Sequence, residues 1–490
     1  MFQIIIHRIE KITQFKYFWI LFVTLLSFPG ILLSIKYSQG FNWPDEIFQS
    51  MELAHYIVTG RGNITWEFLE KARTSLYPQF LSLWLRIVYL FSSDPITVYI
   101  STRIMLAIFY LGGILSLANY FLIKNTNSSN SSLSLKYLLF LIVFILFPLN
   151  YYFGYRTLAE SISTALTLIS VFNIQSRIEE KNENILMFSI LLGITYGIRF
   201  QMALFLCIYA PLLIYQLYSL KLHKAIFNLI LGLLIGFIIY LISDTIFFGI
   251  PFISSINYFK VTILEGVGDQ WGTSPFSFYF KQYYRYFNAL LIFLIPGIYF
   301  NYKKHYPLIF GTIMFILIHS IISHKELRFI YFTFPILLFF ILSGIWNIYI
   351  YFKKYNPKVS YSILLFTLLG SFYLYGIVLN KKIQWNFLDD NLQLFLQAEK
   401  NGVNGNSLVT IQDTFAWGAG YVYLGQKFTG ELYFYDMVKR SNLEKAKLIN
   451  ENQIKNILIK NTNREFYCHS FNFCSPLLTI GEYSWIKLKD

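Results

Sequence analysis

Apolar stretches of roughly 16 to 25 residues, about the length a helix needs to cross a bilayer, recur along the first part of the chain and alternate with short polar joints. About twelve such runs fall near 15 to 36, 77 to 93, 98 to 122, 134 to 153, 157 to 175, 184 to 199, 201 to 219, 224 to 249, 286 to 300, 306 to 322, 328 to 352 and 359 to 379. The pattern predicts a polytopic α-helical membrane protein. Cationic joints tend to stay in the cytoplasm. His7, Arg8, Lys11 and Lys16 therefore place the N-terminus there, and the joints "NYKKHYP" and "YFKKYNPK" belong on the same side. A crossing for every run would put both joints outside, so about eleven transmembrane helices are expected, with one run between 77 and 249 not crossing alone. The runs interrupted by "YRTLAE" and "IRFQ" are the candidates, because broken helices are tolerated around a cavity but not against lipid.

This count puts the loops 37–76 and 250–285, the joint "SHKELRF" and the tail on the non-cytoplasmic face. The first run lacks a small-residue cleavage site and reads as a signal anchor. "NTNSSNSSLS" at 125–134 is a polar linker. The chain divides into a transmembrane part, 1–380, and a soluble part, 381–490. In the latter, "NSLVTI", "ELYFYDM" and "QIKNILIK" alternate with Gly, Asn and Asp turns, which predicts a small C-terminal α/β non-cytoplasmic domain. No internal repeat is evident.

Composition agrees with the membrane reading: of 490 residues 56% are hydrophobic, 20% aromatic and only 13% charged, and the mean hydropathy is +0.50. The net charge of +14 could suggest nucleic acid, but the cations are dispersed over joints rather than gathered on one face. Positive-inside bias accounts for most of them, and anionic lipid or phosphate substrates for the rest. Cys207 sits in an apolar run as a small packing residue. Cys468 and Cys474 can pair if the tail faces an oxidising compartment.

In so uncharged a chain, "FNWPDEIFQSMELAH" is unusual for gathering Asp45, Glu46 and Glu52. Pro44 disfavours helix before it, and carboxylates favour a helix N-terminus. Ile47, Met51, Ala54, His55 and Val58 then form an apolar stripe, with Gln49, Glu52 and Tyr56 elsewhere, so an amphipathic helix lying along the membrane surface is expected. A second cluster, His324, Lys325, Glu326 and Arg328, stands between two apolar runs, where ionisable groups are costly unless they snorkel or bind something. Arg103, Arg156 and Arg199 border or enter apolar runs and need either a structural partner, as Glu160 could be for Arg156, or a ligand such as a lipid-linked phosphate. The loop "VTILEGVGDQWGTSPFSFYF" carries Asp269, Gln270 and Trp271 among glycines, a composition suited to covering a sugar ring. No phosphate-cradling loop, metal-binding His/Cys cluster or serine triad is seen, so neither metal nor cofactor is expected.

Taken together, these motifs resemble the GT22 family of GT-C glycosyltransferases, the polytopic mannosyltransferases of GPI-anchor and N-glycan assembly. "NWPDEIFQ" looks like that family's His-Pro-Asp-Glu motif, keeping Pro44, Asp45, Glu46, Phe48 and Gln49 and replacing its lead-in with Asn42 and Trp43. "TWEF" and "RTSLYP" continue its first luminal loop, and "YRTLAES", "GIRFQMA", "DTIFFG" and "QWGTSPFSFYF" follow in the family's order. "SHKELRF" is similar to its His-Lys-Glu signature, with Leu327 where a second glutamate is common. The resemblance covers about residues 40 to 340 and leaves the tail out.

It implies a GT-C-like fold and transfer of mannose, or a related hexose, from a polyprenyl-phosphate donor to a hydroxyl of a glycan or glycolipid, with inversion. A carboxylate base would deprotonate the acceptor hydroxyl while cations stabilise the departing lipid phosphate. Asp45 is the expected base, with Glu46 second. His324, Lys325 and Arg328 would hold the donor phosphate with help from Arg156 and Arg199, and Gln49, Glu52, Asp269, Gln270 and Trp271 would line the sugar or acceptor site. The partners expected are therefore the donor, the acceptor and membrane lipid, with no nucleic acid. A transporter or flippase of a lipid-linked glycan is the main alternative, but transporters often show paired repeats and mid-span charges; a structural assembly subunit is a further one. The Ile/Phe/Lys/Asn-rich composition fits an AT-rich genome, bacterial or protist; a bacterial inner membrane is favoured and the endoplasmic reticulum is the alternative.

Overall fold

The computed structural model of the chain describes residues 18–38, 40–124, 133–381, 383–410, 419–437 and 440–488. His7, Arg8, Lys11 and Lys16, and all but the end of the 125–134 linker, lie outside the described residues. The chain forms two compact units, one drawn from Met1–Leu32, Glu70–Leu76 and Leu106–Ile383, the other from Leu33–Leu69, Tyr77–Met105 and Gln384–Asp490.

The first unit is helical. Among the described residues of the whole chain, six stretches are long and apolar enough to cross a membrane: Pro95–Leu122, Met202–Ser219, His223–Phe248, Phe278–Ile321, Thr333–Tyr355 and Pro357–Lys381. Others are shorter. Leu186–Ile198 has 13 residues, about 20 Å of helix against a hydrocarbon core of about 30 Å. It stops because Arg199 takes an extended backbone (φ −148°, ψ 107°), so the "IRFQ" interruption is a real break. The "YRTLAE" interruption is another, lying between the helices Pro148–Phe153 and Ala159–Glu179. Helices pack closely where side chains vanish. A Cβ on Gly297 would lie 1.9 Å from the Phe340 carbonyl oxygen, and one on Gly344 would lie 2.0 Å from that of Phe293, so only glycine lets these backbones touch.

The joint "NYKKHYP" is not a polar loop. It lies within the helical run Leu294–Ile321, broken at His305 (φ −122°, ψ 16°) two residues before Pro307. The Lys304 carbonyl at this break accepts hydrogen bonds from Gln216 Nε2 (2.8 Å) and Gln175 Nε2 (3.3 Å). Tyr120 Oη bridges Glu179 Oε1 (2.6 Å) and His305 Nε2 (2.9 Å). The carbonyl freed at the kink is thus satisfied by Gln175 and Gln216 from other helices, while Lys303 and Lys304 stay exposed.

In the second unit, "NSLVTI", "ELYFYDM" and "QIKNILIK" contain the strands β1 (Ser407–Thr410), β2 (Leu432–Tyr435) and β3 (Asn456–Lys460). A hairpin, β4 (Phe473–Ile480) and β5 (Tyr483–Leu488), completes a sheet of order β2-β1-β3-β5-β4. β1 runs parallel to β2 and β3, while β5 is antiparallel to β3 and β4. Alternation sends Leu408, Ile457, Ile459 and Ile486 into a core with Ile449, Tyr467 and Phe473. Trp485 is buried and donates from Nε1 to the Leu394 carbonyl (3.1 Å). Hiding its roughly 200 Å² of ring is worth about 5 kcal/mol. A capping box between Ser441 and Glu444 starts the helix Asn442–Glu451, and Cys468 and Cys474 form a disulfide.

Candidate active site

The acidic stretch belongs to the second unit. Pro44 has no N–H to give, but its carbonyl accepts from Ile47 (3.0 Å) and Phe48 (2.9 Å), so the chain turns immediately after Asp45 and Glu46. A wide π-helical turn, Ile47–Met51, follows and passes into the helix Glu52–Thr59, which ends at Gly60 in the left-handed conformation. This helix does not lie on a surface as expected. Ile47, Met51, Ala54 and His55 are buried, but so are Glu46, Ser50, Glu52 and Leu53 on the other sides. The stripe reading fails because both buried glutamates find partners from elsewhere in the chain.

Glu46 is 1% exposed. Its Oε1 accepts the Asn42 N–H (2.8 Å) and its Oε2 lies 3.7 Å from Nη2 of the equally buried Arg103. Arg103 also donates to the carbonyls of Ser38 (2.7 Å) and Gly40 (2.8 Å) and stacks on Tyr99, 4.1 Å from the ring centre. Asp45, its neighbour, is only half-buried. Gln49 donates to Glu67 Oε1 (2.8 Å), tying "TWEF" to this turn. Nδ1 of His55 is 2.6 Å from Tyr89 Oη, and burial, assisted by the Arg61 charge, pulls the imidazole down to about 4.

Glu52 is wholly buried and accepts three backbone N–H groups, from Asn63 (2.9 Å), Tyr421 (3.0 Å) and Val422 (3.1 Å). Burial pushes its carboxyl up to about 7 despite these three bonds, which act the other way. Gly420 is required here: its φ is +73°, and a Cβ would come within 2.5 Å of Glu52 Oε2. This geometry gives Glu52 a holding role between the acidic helix and the tail. Arg61 adds a second tie through the Phe428 and Gly430 carbonyls.

The other candidates belong to the first unit. Arg156 is buried, donates from Nε to the Tyr152 carbonyl (2.8 Å) and packs over the Tyr152 ring. Arg199, at the helix break, donates to the Phe329 carbonyl (2.8 Å) and lies 3.7 Å from Glu160 Oε1. In "SHKELRF", Glu326 receives Arg328 Nε (2.9 Å) and Nη2 (3.0 Å) and faces His324 Nε2 (3.1 Å). Desolvation opposes the charge on Glu326, yet Arg328 and His324 together hold its carboxyl down at about 2. Lys325 Nζ donates to the Ser274 carbonyl (2.7 Å). Asp269, Gln270 and Trp271 are exposed in a short 3-10 turn, Val267–Trp271.

Sequence reasoning missed Arg103 as the partner of Glu46, offered Glu160 to Arg156 where the structure pairs it with Arg199, and missed Glu326 as the centre of its cluster. The last was readable from its spacing to His324 and Arg328; the others join residues far apart in the chain. Among the described residues no group of three or more His, Cys, Asp or Glu could hold a metal ion.

Residues 19–411 match the Alg9-like mannosyltransferase family. Human GPI alpha-1,2-mannosyltransferase 3 is 28% identical over 301 residues, covering 61% of this chain and 52% of its own. GPI mannosyltransferase 3 of Candida albicans is 26% identical over 333 residues, with 67% and 64% covered. The chain thus spans about half the length of the first of these relatives and under two thirds of the second. ArnT from Cupriavidus metallidurans, in a crystal structure bound to undecaprenyl phosphate, superposes with a TM-score of 0.52 at 10% identity, covering 97% of this chain and 98% of that one. The fold is that of a polytopic helical membrane protein of the GT-C type.

Proposed function

Starting from a chain that belongs to the Alg9-like mannosyltransferase family, we propose that it transfers mannose, or a related hexose, from a polyprenyl-phosphate donor to a hydroxyl of a glycan or glycolipid. The acceptor oxygen attacks the anomeric carbon from the face opposite the phosphate, its proton passes to a carboxylate, and the bond to the phosphate oxygen breaks. The anomeric configuration inverts and polyprenyl phosphate leaves. Asp45 is the base.

The observation that carries this assignment is the contrast within the acidic pair. Glu46 is buried against Arg103 and Asn42, whereas Asp45 is half-buried at the head of the turn, where a hydroxyl can reach it. Arg328, Lys325, Arg199 and Arg156 are assigned to the donor phosphate, whose charge grows as the bond breaks. Gln49, Asp269, Gln270 and Trp271 are assigned to the sugar and acceptor, and Glu52 to holding the acidic helix. The charge of the joints supports activity on the non-cytoplasmic face, with a bacterial inner membrane favoured and the endoplasmic reticulum as the alternative.

The test uses the full chain in nanodiscs with polyprenyl-phosphate mannose and a panel of glycan and glycolipid acceptors. Wild type should form an inverted mannoside and Asp45→Asn should not. Transfer by Asp45→Asn at the wild-type rate overturns the assignment.

A further inference from the structure

His324 does not offer a ring nitrogen to a phosphate. Nδ1 lies 2.8 Å from the Gly272 carbonyl oxygen and Nε2 lies 3.1 Å from Glu326 Oε1. A carbonyl and an ionised carboxylate can only accept, so both ring nitrogens must carry protons and the ring is an imidazolium. Glu326 can remain ionised because Arg328 binds it in a fork through Nε and Nη2.

What the imidazolium grips is the backbone of the Trp271 loop. Beside the bond to Gly272, the same joint holds that loop through Lys325 Nζ to the Ser274 carbonyl (2.7 Å) and through the Ser274 N–H to the Ser323 carbonyl (2.9 Å). A Cβ on Gly268 would rest 3.5 Å from that of His324, so the loop backbone lies on the histidine. Trp271 points outward, 71% exposed, between Gly266 and Gly272, both with positive φ. The loop is thus pinned at its base and presents an aromatic face at its tip.

We propose that Glu326 and His324 act as positioning residues, a charge-held latch that fixes the Trp271 loop as a platform for a hexose ring, rather than as ligands of the lipid phosphate. The identity of the ring rests on the glycosyl-transfer reading; the latch itself does not. The groups facing His324 are Glu326, Arg328, the Gly272 carbonyl and the Phe329 ring. Of these Glu326 dominates and raises the imidazolium above its ordinary range, while burial and Arg328 oppose it. The latch is therefore complete below the ordinary histidine range near 6.5 and is lost as pH rises through the raised value. Glu326→Gln should bring that loss back towards about 6.5.

Amide hydrogen exchange of residues 266–274 in the full chain reads the latch directly. Below about pH 6.5, where the wild-type latch is complete, Glu326→Gln and His324→Phe should each speed exchange there, His324→Phe about tenfold, and leave Thr333–Tyr355 unchanged; His324→Phe, which keeps the Glu326–Arg328 fork, should weaken binding of polyprenyl phosphate without sugar by less than about twofold. Glu326→Asp should recover part of the protection. Unchanged loop exchange in both variants, or a loss of polyprenyl phosphate binding in His324→Phe as large as its gain in loop exchange, overturns the proposal. If wild type transfers no hexose, the glycosyl-transfer reading fails while the exchange result still decides the latch. If the latch holds and wild type is active, both variants should raise KM for the sugar-bearing donor more than they lower kcat.

Discussion

Glu46 and Glu326 each face an arginine, but at different depths, and depth changes what the pair does. Glu46 and Arg103 are almost wholly buried and 3.7 Å apart, with Arg103 bound to two backbone carbonyls. Their charges cannot be released to solvent, and the pair fixes backbone. The Glu326 side chain keeps 23% of its surface and lies 2.9 Å from Arg328 Nε. It can exchange partners with water, and it controls the protonation of a neighbouring histidine. An acid and a base close together therefore say little until burial is known: one pair is scaffold and the other is adjustable.

The largest effect should come from the half-buried carboxylate next to that pair, Asp45. Asp45→Asn is expected to lower kcat about 10²- to 10⁴-fold with the thermal midpoint nearly unchanged; a large drop in midpoint would show that Asp45 is scaffold like Glu46. Next, Arg103→Met strands a buried carboxylate and should cost about 3–5 kcal/mol, read as loss of the folded second unit in thermal unfolding. Gly420→Ala forces a Cβ against Glu52 at positive φ and should cost about 1–3 kcal/mol; no change would mean that the Glu52 clasp yields easily.

The pH dependence of Glu52 has the reverse sign from a usual ion-paired carboxylate. Its folded value, about 7, lies above the ordinary 4.5, so the folded form takes the proton more readily. Stability should rise as pH falls from about 7 towards 4.5, and Glu52→Gln should flatten that slope. Smallest is Glu326→Gln at neutral pH, about 1 kcal/mol or less given its exposure. With its folded value held at about 2, Glu326 contributes above the ordinary 4.5 and that contribution fades as pH falls towards 2.

The sequence made some of this legible for local reasons. A helix break needs only nearby residues, so "YRTLAE" and "IRFQ" showed theirs, and short apolar segments set between Gly, Asn and Asp turns marked "NSLVTI", "ELYFYDM" and "QIKNILIK" as strands. The acidic stretch was legible as a cluster, because charge is rare in this chain. Its burial was not, since the groups that permit it, Arg103 for Glu46 and the Tyr421 and Val422 amides for Glu52, stand 57 and about 370 positions away. Amphipathic periodicity assumes that a glutamate seeks water, and it fails where distant donors replace water. The kink at His305 misled for a related reason: lysines and a proline look like a loop whether they join two helices or sit on one kinked helix whose free carbonyl distant Gln175 and Gln216 satisfy.

The tie between Glu52 and the amides of Tyr421 and Val422 also sets an order of events during synthesis. The second unit takes its first pieces from before Met105 and its last from Gln384 onward. Roughly 280 residues, about 15 to 60 s of translation, separate them. Through that interval the ribosome has delivered Asp45, Glu46 and Glu52 but none of the tail, and Glu52 has no Tyr421 or Val422 amide to receive it. A chain that stops within the membrane-spanning part therefore carries the acidic helix in an unfinished state, and synthesis past Val422 is the event that closes it.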